Sequence, residues 1–533
     1  MIIESNIKVN RDLCYACGIC VDRCILDNLR LSIGPCRTSC PIHMNCQGYI
    51  RLLAQGKEKE AAEEMRIYTP FAAILGRVCA QPCENVCERE KVDGAVHIRA
   101  IKRYLSDNFP EISFQIPALG KKEGKQIAVV GSGPAGLAAA YELSLLGHTV
   151  TVLEAENEPG GALRHLIPSF RLPVSVVDQT IAMLVKMGIN FQTGQKVGQD
   201  IDFTQLENDF DGIILAIGAN APLKPNFIWG NAKQVFLGLD FLKKVKKREN
   251  ISLGKSVIIV GGGNTAVDAA LICKKLKIPE VKLVCLEDRK NMPAFSRELQ
   301  EAEEEGVIIE AGWGPNKIWN NADGKVKIDF IRCLSVFDSL QRFDPRFDSR
   351  FHLTLESEAL IISIGQQVDF FGMPEDILDK QTGLIAGNRL THQALQHPKV
   401  FLGGDAFSGS SSVVHAMASG REAAISLDRF LRNETMHWGR EFWQGPYVKD
   451  YKVDLSRIHG GPRGNLKRVP VEQRKFDLET EILFSPEEAR KEAERCLSCG
   501  RAVEWNKTCW YCLPCEIECP VKAIEVKIPY LVR

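Results

Sequence analysis

The sequence lacks a surplus of charge of either sign, an apolar leader and a long apolar run. Lys plus Arg number 67 and Asp plus Glu also number 67, so no overall field draws the chain toward nucleic acid or an anionic lipid surface. The first residues, MIIESNIKVNRD, contain no apolar core of a signal peptide. No stretch reaches the roughly 18 consecutive apolar residues of a membrane-spanning helix. The sequence therefore predicts a cytoplasmic protein that neither inserts into membranes nor binds nucleic acid.

Cysteine is scarce through the long middle of the chain. Of the 19 cysteines, only Cys273, Cys285 and Cys333 lie between Cys87 and Cys496. None of the three forms a C-x2-C or C-x4-C pair, which disfavours a redox-disulfide enzyme of the thioredoxin-reductase kind. The other sixteen lie near the two ends, at spacings typical of cluster ligands. Because a secretory leader is also missing, we expect a reducing compartment rather than disulfides.

The stretch KQIAVVGSGPAGLAAAYELSLLGHTVTVLEAE has the pattern of a strand, a glycine-rich turn, a helix and a second strand. Gly131, Gly133 and Gly136 form its G-x-G-x-x-G motif, and Glu154 ends the second strand. In such a unit the first glycine permits the tight turn, the second lets a pyrophosphate approach the backbone, and the third lets helix and strand pack closely. Glu154 is then expected to accept hydrogen bonds from both ribose hydroxyls. The stretch predicts a dinucleotide-binding site.

A second unit begins at KSVIIVGGGNTAVDAALICKKL. Gly261 and Gly263 occupy the first two positions of the same fingerprint, and Glu287 closes the following strand, VKLVCLE. Asn264 and Thr265, at the start of the helix, complete the predicted nucleotide-binding residues of this unit. Two dinucleotide sites in series predict one FAD and one NAD(P).

Segments on either side of the second unit are typical of a FAD domain that an NAD domain interrupts. They are the pair Gly160 and Gly161, the strand-plus-glycine segments IILAIGA and LIISIGQ, and VFLGGDAFSGSS, which contains Gly404 and Asp405. Asp405 is predicted to hold the ribityl chain of the flavin. The N-terminus of the next helix, near Val413, is predicted to face the flavin ring.

Both ends of the chain carry cysteine runs with ferredoxin spacing. The predicted [4Fe-4S] ligands are Cys14, Cys17, Cys20 and Cys24 in the first run and Cys509, Cys512, Cys515 and Cys519 in the second. In two-cluster ferredoxins the fourth cysteine of each run binds the other cluster, so the two runs could form one module with Cys24 and Cys519 exchanged. Two independent modules are the simpler interpretation, and the sequence does not choose between them.

Several motifs occur in the order found in one family. EPGGALRHLIPSFRLP, GGGNTAVDAA, MPAFSRE and GGDAFSGSSSVVHAMASGREAA resemble the flavoprotein small subunit of glutamate synthase and its relatives. Those relatives include the NAD(P)H–ferredoxin oxidoreductase subunits of anaerobes and the amino-terminal half of dihydropyrimidine dehydrogenase. The likeness covers about residues 36–435. It implies hydride transfer from a nicotinamide to FAD and single-electron transfer from FAD to iron–sulfur clusters.

The same resemblance extends to a helical cluster domain. GPCRTSCPIHMNCQGYIRLLAQGKEKEAAEEM and GRVCAQPCENVCERE place Cys36, Cys40, Cys79, Cys83 and Cys87 at positions matching the family's ligands.

The chain departs from that pattern in two places. Relatives with two clusters in this domain carry an additional C-x2-C a few residues earlier, where this chain has DNLRLSIG, and EAERCLSCG supplies Cys496 and Cys499 near the other end. Lys102 stands where some relatives use a Gln or Glu ligand, and because lysine is a poor cluster ligand, Cys46 is expected to serve instead. We hypothesise two ligand sets, one of Cys36, Cys87, Cys496 and Cys499 and the other of Cys40, Cys46, Cys79 and Cys83. The alternative is that Cys496 and Cys499 are spare thiols.

The expected fold is α/β, with an NAD domain inserted in a FAD domain, a helical iron–sulfur domain before them and ferredoxin-like modules at the flanks. At 533 residues several domains are expected. The predicted boundaries are 1–35 for the first cluster module, 36–120 for the helical domain, 121–248 and 366–435 for FAD, 249–365 for NAD(P), 436–485 for a linker and 486–533 for the last module. Four, six and six grouped cysteines predict three or four [4Fe-4S] clusters.

The predicted function is that of an NADH:acceptor oxidoreductase, an electron-transfer subunit whose partner is ferredoxin or a larger redox enzyme. The alternative is an NADPH-dependent glutamate synthase small subunit. NADPH-using relatives carry two adjacent arginines where this chain has Leu286 and Glu287. A carboxylate there accepts bonds from free ribose hydroxyls but repels a 2′-phosphate, which favours NADH. Arg289 and Lys290 lie near enough in sequence to leave NADPH open.

Overall fold

The computed structural model describes residues 6–26, 28–117, 124–225, 228–229, 234–340, 342–437, 440, 458–459, 461–504 and 509–528. Two five-stranded parallel sheets form its centre, a helical domain packs beside them, and a small module joins the two chain ends. No helix among these residues is both long and apolar enough to cross a bilayer. The predicted cytoplasmic location stays a prediction.

The first parallel sheet contains the first glycine-rich turn. Its strands in spatial order are Val400–Leu402, Gly212–Leu215, Gln126–Val130, Thr149–Glu154 and Asn190–Thr193. Val400–Leu402, Gly212–Leu215 and Gln126–Val130 are nearly continuous runs of apolar residues, because helices cover both faces of a parallel sheet. The helices of this part are Pro134–Leu145, Ala162–His165, Val174–Lys186, Phe203–Asp209, Asp405–Ser408 and Val413–Leu431. The return of Val400–Leu402 to this sheet confirms that the first dinucleotide domain is interrupted.

The second parallel sheet lies within the interruption. Its strands in spatial order are Ile308–Ala311, Glu280–Cys285, Ser256–Val260, Ala359–Ile362 and Val235–Leu237, with helices Gly238–Lys246, Asn264–Lys275 and Ser296–Glu304. The edge strand Val235–Leu237 pairs with Ala359–Ile362 of this sheet. It lies before residue 249, where the sequence predicts that the NAD(P) domain begins. The glycine motif identifies the central strand of such a sheet but carries no information about a short edge strand.

A third sheet and several short elements complete the central region. The third sheet has the order Phe343–Ser357, Val326–Phe337, Trp313–Asn320 and Ile228–Trp229. The remaining strand pairs are Ala221–Pro222 with Gln366–Gln367 and Leu378–Asp379 with Leu384–Ile385, and single-turn 3-10 helices occur at Glu375–Ile377 and Val471–Gln473.

The helical domain contains short helices around a cysteine-rich core. They are Pro35–Thr38, Cys46–Ala54, Glu58–Tyr68, Ala72–Val78, Pro82–Asn85, Glu90–Asp93, Ile98–Asn108 and Pro110–Ser113. The helix Pro486–Glu494 returns from the far end of the chain and packs on Cys46–Ala54. Ser485 and Glu488 form a capping box at its start, which fixes where the returning helix begins.

The two chain ends form one body. Ile7–Val9 pairs antiparallel with Ile524–Val526, and Leu29–Ser32 pairs antiparallel with Arg501–Glu504. The short helices Ile19–Asp22 and Pro514–Ile517 pack together between these ribbons. The separate modules predicted at 1–35 and 486–533 are therefore replaced by a single module, which is the alternative that the sequence left open. Strand pairing between segments this far apart leaves no signal in local cysteine spacing.

The described part of the predicted linker 436–485 forms ion pairs with two of the domains. Residues 438–439, 441–457 and 460 lie outside the described residues. Arg468 pairs with Glu304 at 2.8 Å, in the second sheet's domain. Farther along, Glu479 pairs with Arg77 and Arg103 of the helical domain, each at 2.9 Å. We call residues 468–481 the strap, because it ties these two domains to each other.

Candidate functional site

The first glycine-rich turn has the backbone that a bound pyrophosphate requires. Gly131 has φ +98°, a region that favours glycine. A Cβ at Gly136 would lie 1.9 Å from the carbonyl oxygen of Gly131, so helix and strand pack as closely as the motif predicts. A Cβ at Gly133 would meet no atom within 4 Å, because this residue faces open space at the start of helix Pro134–Leu145. A pyrophosphate fits this open space at the helix N-terminus.

Glu154 is bound to the same turn. Its Oε2 accepts hydrogen bonds from the Ser132 backbone N–H at 2.9 Å and from the Ser132 hydroxyl, and its Oε1 accepts one from the Glu156 N–H at 2.9 Å. A carboxylate oxygen can accept two hydrogen bonds, so Oε1 retains capacity for one ribose hydroxyl. Both ribose hydroxyls can bind Glu154 only if one of them competes with Ser132 for its carboxylate. The motif does not reveal this contact with Ser132.

Gly160, Gly161, Gly404 and Asp405 complete this side of the site. A Cβ at Gly161 would lie 2.6 Å from the Cα of Gly133, and one at Gly404 would lie 2.9 Å from the Cβ of Ala135, so both glycines permit close approach to the turn. Gly160 has φ +134° in the same segment. Asp405 accepts hydrogen bonds from the Ser411 N–H at 3.2 Å and its hydroxyl at 3.1 Å, and burial raises the pKa of Asp405.

A helix N-terminus lies at the position predicted for the flavin ring. Helix Val413–Leu431 begins directly after the Ser410–Ser412 turn, and both the turn and Val413 line the central cavity. A Cβ at Gly420 would lie 2.0 Å from the carbonyl oxygen of Ala135, so this helix crosses helix Pro134–Leu145 at close range. The crossing brings two helix N-termini to one cavity, where the positive ends of both dipoles favour an anionic or electron-rich ligand.

The second glycine-rich turn repeats the geometry of the first. A Cβ at Gly261 would lie 2.1 Å from the carbonyl oxygen of Ser363, whereas one at Gly263 would meet nothing within 4 Å. The side chain of Asn264 accepts a hydrogen bond from the Phe295 N–H at 2.8 Å, and the Thr265 hydroxyl accepts one from Gln366 at 3.4 Å. These contacts fix the residues that begin the second nucleotide-binding helix.

The first turn lines a cavity of about 650 Å³, and the two residues after the second turn line the same cavity. Gly133, Asp405, Asn264 and Thr265 all line it. The helical domain contributes the wall opposite these turns through Arg77, Val78, Arg99 and Arg103. A flavin held by the first turn and a nicotinamide held by the second would meet inside a space of this kind, next to the cysteine-rich domain.

Glu287 lies beside the second turn rather than in the cavity lining. A Cβ at Gly262 would lie 2.6 Å from its Oε2, and burial raises the pKa of Glu287. Arg289, which could have reached a 2′-phosphate, is paired with Glu303 at 2.8 Å. Lys290 is exposed on the following turn.

An acidic cluster around Arg171 was not predicted from the sequence. The Arg171 guanidinium bonds to Asp268 and lies 3.3 Å from Glu298 and 3.4 Å from Glu301. Burial and the neighbouring carboxylates have opposite effects on Arg171, and the carboxylates dominate, so its pKa is raised. Burial raises the pKa of Asp268 to about 7. Arg171, Asp268, Glu298 and Glu301 all line the cavity. The first three lie in EPGGALRHLIPSFRLP, GGGNTAVDAA and MPAFSRE, three of the motifs that carry the family resemblance, but the motifs do not indicate that these side chains meet.

The six cysteines of the helical domain and the displaced pair lie together. Cys46 is in hydrogen-bond contact with Cys36, Cys40 and Cys83. Lys102 interacts electrostatically with Cys79, Cys83, Cys40 and Cys46.

The returning cysteines reach the other side of this group. Cys499 interacts with Cys496 and Cys87, and Cys36 interacts with both Cys499 and Cys496. The four thiols hypothesised as one ligand set are thus neighbours, although they come from opposite ends of the chain.

Two buried contacts hold the returning segment in place. The side-chain amide of Gln47 donates to the Gly500 carbonyl at 2.7 Å and accepts from the Gly500 N–H at 2.6 Å. Arg495 is 1 % exposed and pairs with Glu492 at 2.7 Å and with Asp93 at 2.9 Å. Cys496 follows Arg495 directly, so these contacts fix its position next to Cys36.

The fourth cysteine of each terminal run lies next to the other run. Cys20 interacts with Cys14, Cys17, Cys519 and Cys515, and Cys515 interacts with Cys24, Cys509 and Cys512. The arrangement is the crosswise one known from two-cluster ferredoxins. All nineteen thiols are free of disulfide bonds, as the sequence predicts.

The geometry fits clusters better than single ions. No three His, Cys, Asp or Glu side chains of the described residues converge on one metal ion. A cubane instead takes four thiolates spread around its surface, and the grouped cysteines of the helical domain, the returning segment and the terminal module suit such a ligand. Burial raises the pKa of several of these thiols, for example that of Cys515 to about 11, and they lose their protons when they bind a cluster.

Two family patterns match the chain. Residues 125–420 match the pattern described as pyridine nucleotide-disulphide oxidoreductase. Residues 21–113 match the pattern described as dihydropyrimidine dehydrogenase domain II, 4Fe-4S cluster. Together they cover the two dinucleotide units and the helical domain, and they confirm the predicted FAD, NAD(P) and iron–sulfur chemistry.

Individual relatives agree with these matches. The chain is 32 % identical over 502 residues to the NADP(+)-dependent formate dehydrogenase subunit beta of Moorella thermoacetica, covering 88 % of this chain and 70 % of that protein. It is 32 % identical over 405 residues to the NAD-dependent dihydropyrimidine dehydrogenase subunit PreT homolog of Salmonella typhi, covering 74 % and 91 %. The NADPH-Fe(3+) oxidoreductase subunit beta of Geobacter sulfurreducens is 29 % identical over 508 residues, covering 88 % and 75 %.

A solved structure shares the central fold. FprA of Mycobacterium tuberculosis in complex with NADPH aligns with a TM-score of 0.52 at 17 % identity, covering 58 % of this chain and 85 % of that one. At this identity the likeness concerns the fold alone, and it supports the two-sheet arrangement of the centre.

Replacing Gly133 by Ala tests the first turn. The added methyl meets no protein atom, so we expect an unchanged melting temperature but weaker FAD binding, by about tenfold or about 1.4 kcal/mol. Flavin fluorescence during equilibrium dialysis measures this affinity. Gly464→Ala is the matched control, since a Cβ there also meets no atom within 4 Å. Equal FAD affinity in both variants would contradict the assignment of this turn.

Proposed function

The chain belongs to the pyridine nucleotide-disulphide oxidoreductase family, and we propose that it is an electron-transfer subunit that oxidises NADH and reduces a protein partner. In this proposal it carries one FAD and four [4Fe-4S] clusters. The observation that carries the proposal is the shared cavity. It is lined by the first glycine-rich turn, by Asn264 and Thr265 at the start of the helix after the second turn, and by Val78, the residue before Cys79.

The residues around the cavity support binding and orientation rather than acid–base catalysis. A bound flavin would supply the hydride and single-electron chemistry, so the chain itself needs no proton-transfer dyad. Gly133 and Gly263 leave room for two pyrophosphates, and the N-terminus of helix Val413–Leu431 favours negative charge on the ring system. Arg99 and Arg103 close the opposite wall and are held by Glu481 and Glu479 of the strap.

The cysteine sets support a continuous electron path from the cavity to the surface. The set of Cys40, Cys46, Cys79 and Cys83 begins one residue from the cavity wall. Tyr68 interacts with both Cys46 and Cys17, so the first terminal set lies next to the helical domain. The second terminal set includes Cys512, which is exposed.

The surface around that last set supports a protein as electron acceptor. Ile25 follows Cys24 and is 75 % exposed, Trp510 follows Cys509 and is 75 % exposed, and Ile517 lies near Cys515 and is 74 % exposed. Exposed apolar groups around a redox centre are typical of a docking site, and redox complexes use small contact areas. We infer that this face meets a protein with a one-electron centre, such as a ferredoxin or a larger redox enzyme.

The surroundings of Glu287 support NADH as the nucleotide. Its carboxylate occupies the end of the strand beside the glycine-rich turn, and Arg289 is engaged by Glu303. The Salmonella relative is named NAD-dependent, whereas the Moorella and Geobacter relatives are named for NADP(+) and NADPH. The proposal of NADH therefore rests on the local charge pattern and not on the names of these relatives.

Anaerobic mixing with NADH tests the function as a whole. We expect the flavin absorbance to bleach first and the broad iron–sulfur absorbance to follow within the same experiment. Reduced clusters should then give electron paramagnetic resonance signals. A chain loaded with FAD and iron that NADH leaves fully oxidised would contradict the proposal.

Removal of the displaced cysteines tests the cluster count. The wild-type chain should contain about sixteen irons, four for each cluster. The double change Cys496→Ala and Cys499→Ala should reduce this to about twelve, because one ligand set loses two of its thiolates. Iron analysis after anaerobic purification measures the difference. Cys273→Ala is the matched control, since this buried thiol belongs to no set, and an unchanged iron content in the double variant would show that the pair is spare.

Exchange of Glu287 tests the nucleotide preference. Glu287→Arg should lower the ratio of kcat/KM for NADH over NADPH by about tenfold or more, equivalent to about 1.4 kcal/mol, because a cationic donor replaces a repelling carboxylate. Steady-state kinetics with an artificial acceptor measures the ratio. Glu280→Arg, at the opposite end of the same strand, is the control. A wild-type preference for NADPH would overturn the assignment.

Polar substitutions on the exposed face test partner docking. The double change Ile25→Ser and Ile517→Ser should slow reduction of ferredoxin by NADH about tenfold, since apolar anchors contribute most to such contacts. Reduction of the bound flavin by NADH should not change. Ile67→Ser, equally exposed at 75 % but on the helical domain, serves as the comparison. Slowing of both reactions to the same degree would count against a docking role.

A further inference from the structure

Lys102 is a buried lysine surrounded by thiols. It lies in helix Ile98–Asn108 and is 3 % exposed. The groups that most favour its charged form are Cys79, Cys83, Cys40 and Cys46, one complete proposed ligand set. No carboxylate of the described residues forms an ion pair with it. The four cysteines are therefore the main electrostatic partners of the Lys102 side chain.

Burial and the cysteines have opposite effects on this group. Burial disfavours a charged ammonium, whereas nearby thiolates favour it. Cysteines that bind a cluster do so as thiolates, so a loaded ligand set places negative charge around Lys102 and favours its protonated form.

The location of Lys102 connects it to the cavity. Arg99 and Arg103 of the same helix line the cavity wall, as does Val78, which precedes Cys79. The set beside Lys102 is thus the one adjoining the proposed flavin site. A cluster bound by this set would be the first to receive electrons from the flavin, so its reduction potential controls that step.

Resting on the proposed function, we propose that Lys102 is a positioning residue that raises the reduction potential of the cluster held by Cys40, Cys46, Cys79 and Cys83. Reduction adds one electron, and hence one negative charge, beside Lys102, which keeps its proton throughout. A fixed positive charge in a poorly screened interior favours the more negative state. Charge near a cluster is one of the known determinants of its potential. Lys102 thereby favours electron entry at the cluster nearest the cavity.

Lys102 does not replace a ligand in this scheme. Four thiols already surround the site, and Cys46 contacts Cys40 and Cys83 directly. An amine ligand would leave one of these cysteines without a role. The experiment therefore has to separate the effect of the Lys102 charge from that of a bond between its amine and iron.

A redox titration of the full-length holoprotein separates charge from ligation. Lys102→Met removes the charge at similar length, Lys102→Arg keeps it, and Lys91→Met removes an exposed charge of the same domain. Dithionite titration monitored by electron paramagnetic resonance gives the midpoint potential of each cluster. In Lys102→Met we expect the reduction equilibrium constant of one cluster to fall about tenfold, equivalent to about 59 mV for one electron. Lys102→Arg and Lys91→Met should retain the wild-type potentials.

Three results would overturn the proposal. An unchanged set of potentials in Lys102→Met would show that the charge has no effect. Loss of about four irons from Lys102→Met would assign Lys102 to ligation or assembly. A lowered potential in Lys102→Arg as well would trace the effect to packing. Because dithionite replaces NADH, failure of NADH to reduce the wild-type chain would count against the proposed function without affecting this measurement.

Discussion

The pairing of Gln47 with Gly500 is the contact on which the arrangement of the redox sites depends. Two short hydrogen bonds join residues 453 positions apart. They place Cys499 and Cys496 beside Cys36 and Cys87 and align the ribbon that continues into the terminal module. Each hydrogen bond contributes only about 1 kcal/mol, but they lie beside a buried ionic group. Losing one partner of the Arg495 ion pairs would cost about 3–5 kcal/mol, since an uncompensated charge would stay buried.

The strap likewise holds the second sheet's domain and the helical domain together. Arg468 and Arg474 bind Glu304 and Glu305 at one end, and Glu479 and Glu481 bind arginines of the helical domain at the other. Between them Phe476 packs edge-on against Phe170 at a centroid distance of 6.5 Å. The cavity is therefore enclosed by three domains and by a segment that belongs to none of them. The arginines of its wall pair with the glutamates of the strap and with Asp107.

Local sequence patterns predicted the parts of the site that local backbone geometry dictates. The glycines of both turns have the close contacts and the open positions that the motif requires, because these depend on a few adjacent residues. The acidic cluster around Arg171 and the hydrogen bonds of Ser132 to Glu154 could not be predicted, since they join segments that only the tertiary fold brings together. The edge strand Val235–Leu237 was missed for the same reason. Cysteine spacing singled out the proposed ligands of each terminal run but not that the runs share one module. The other domain boundaries and the binding residues stay predictions.

The shared ligand sets impose an order on biosynthesis. Of the four proposed sets, only that of Cys40, Cys46, Cys79 and Cys83 lies within one short stretch of sequence. The other three each require at least one cysteine from Cys496 onward. During synthesis the ligands of the innermost proposed set therefore emerge well before Cys496, so this centre can form while the outward route for electrons still lacks ligands. A product truncated before Cys496 would have the innermost proposed centre but no complete path for electrons.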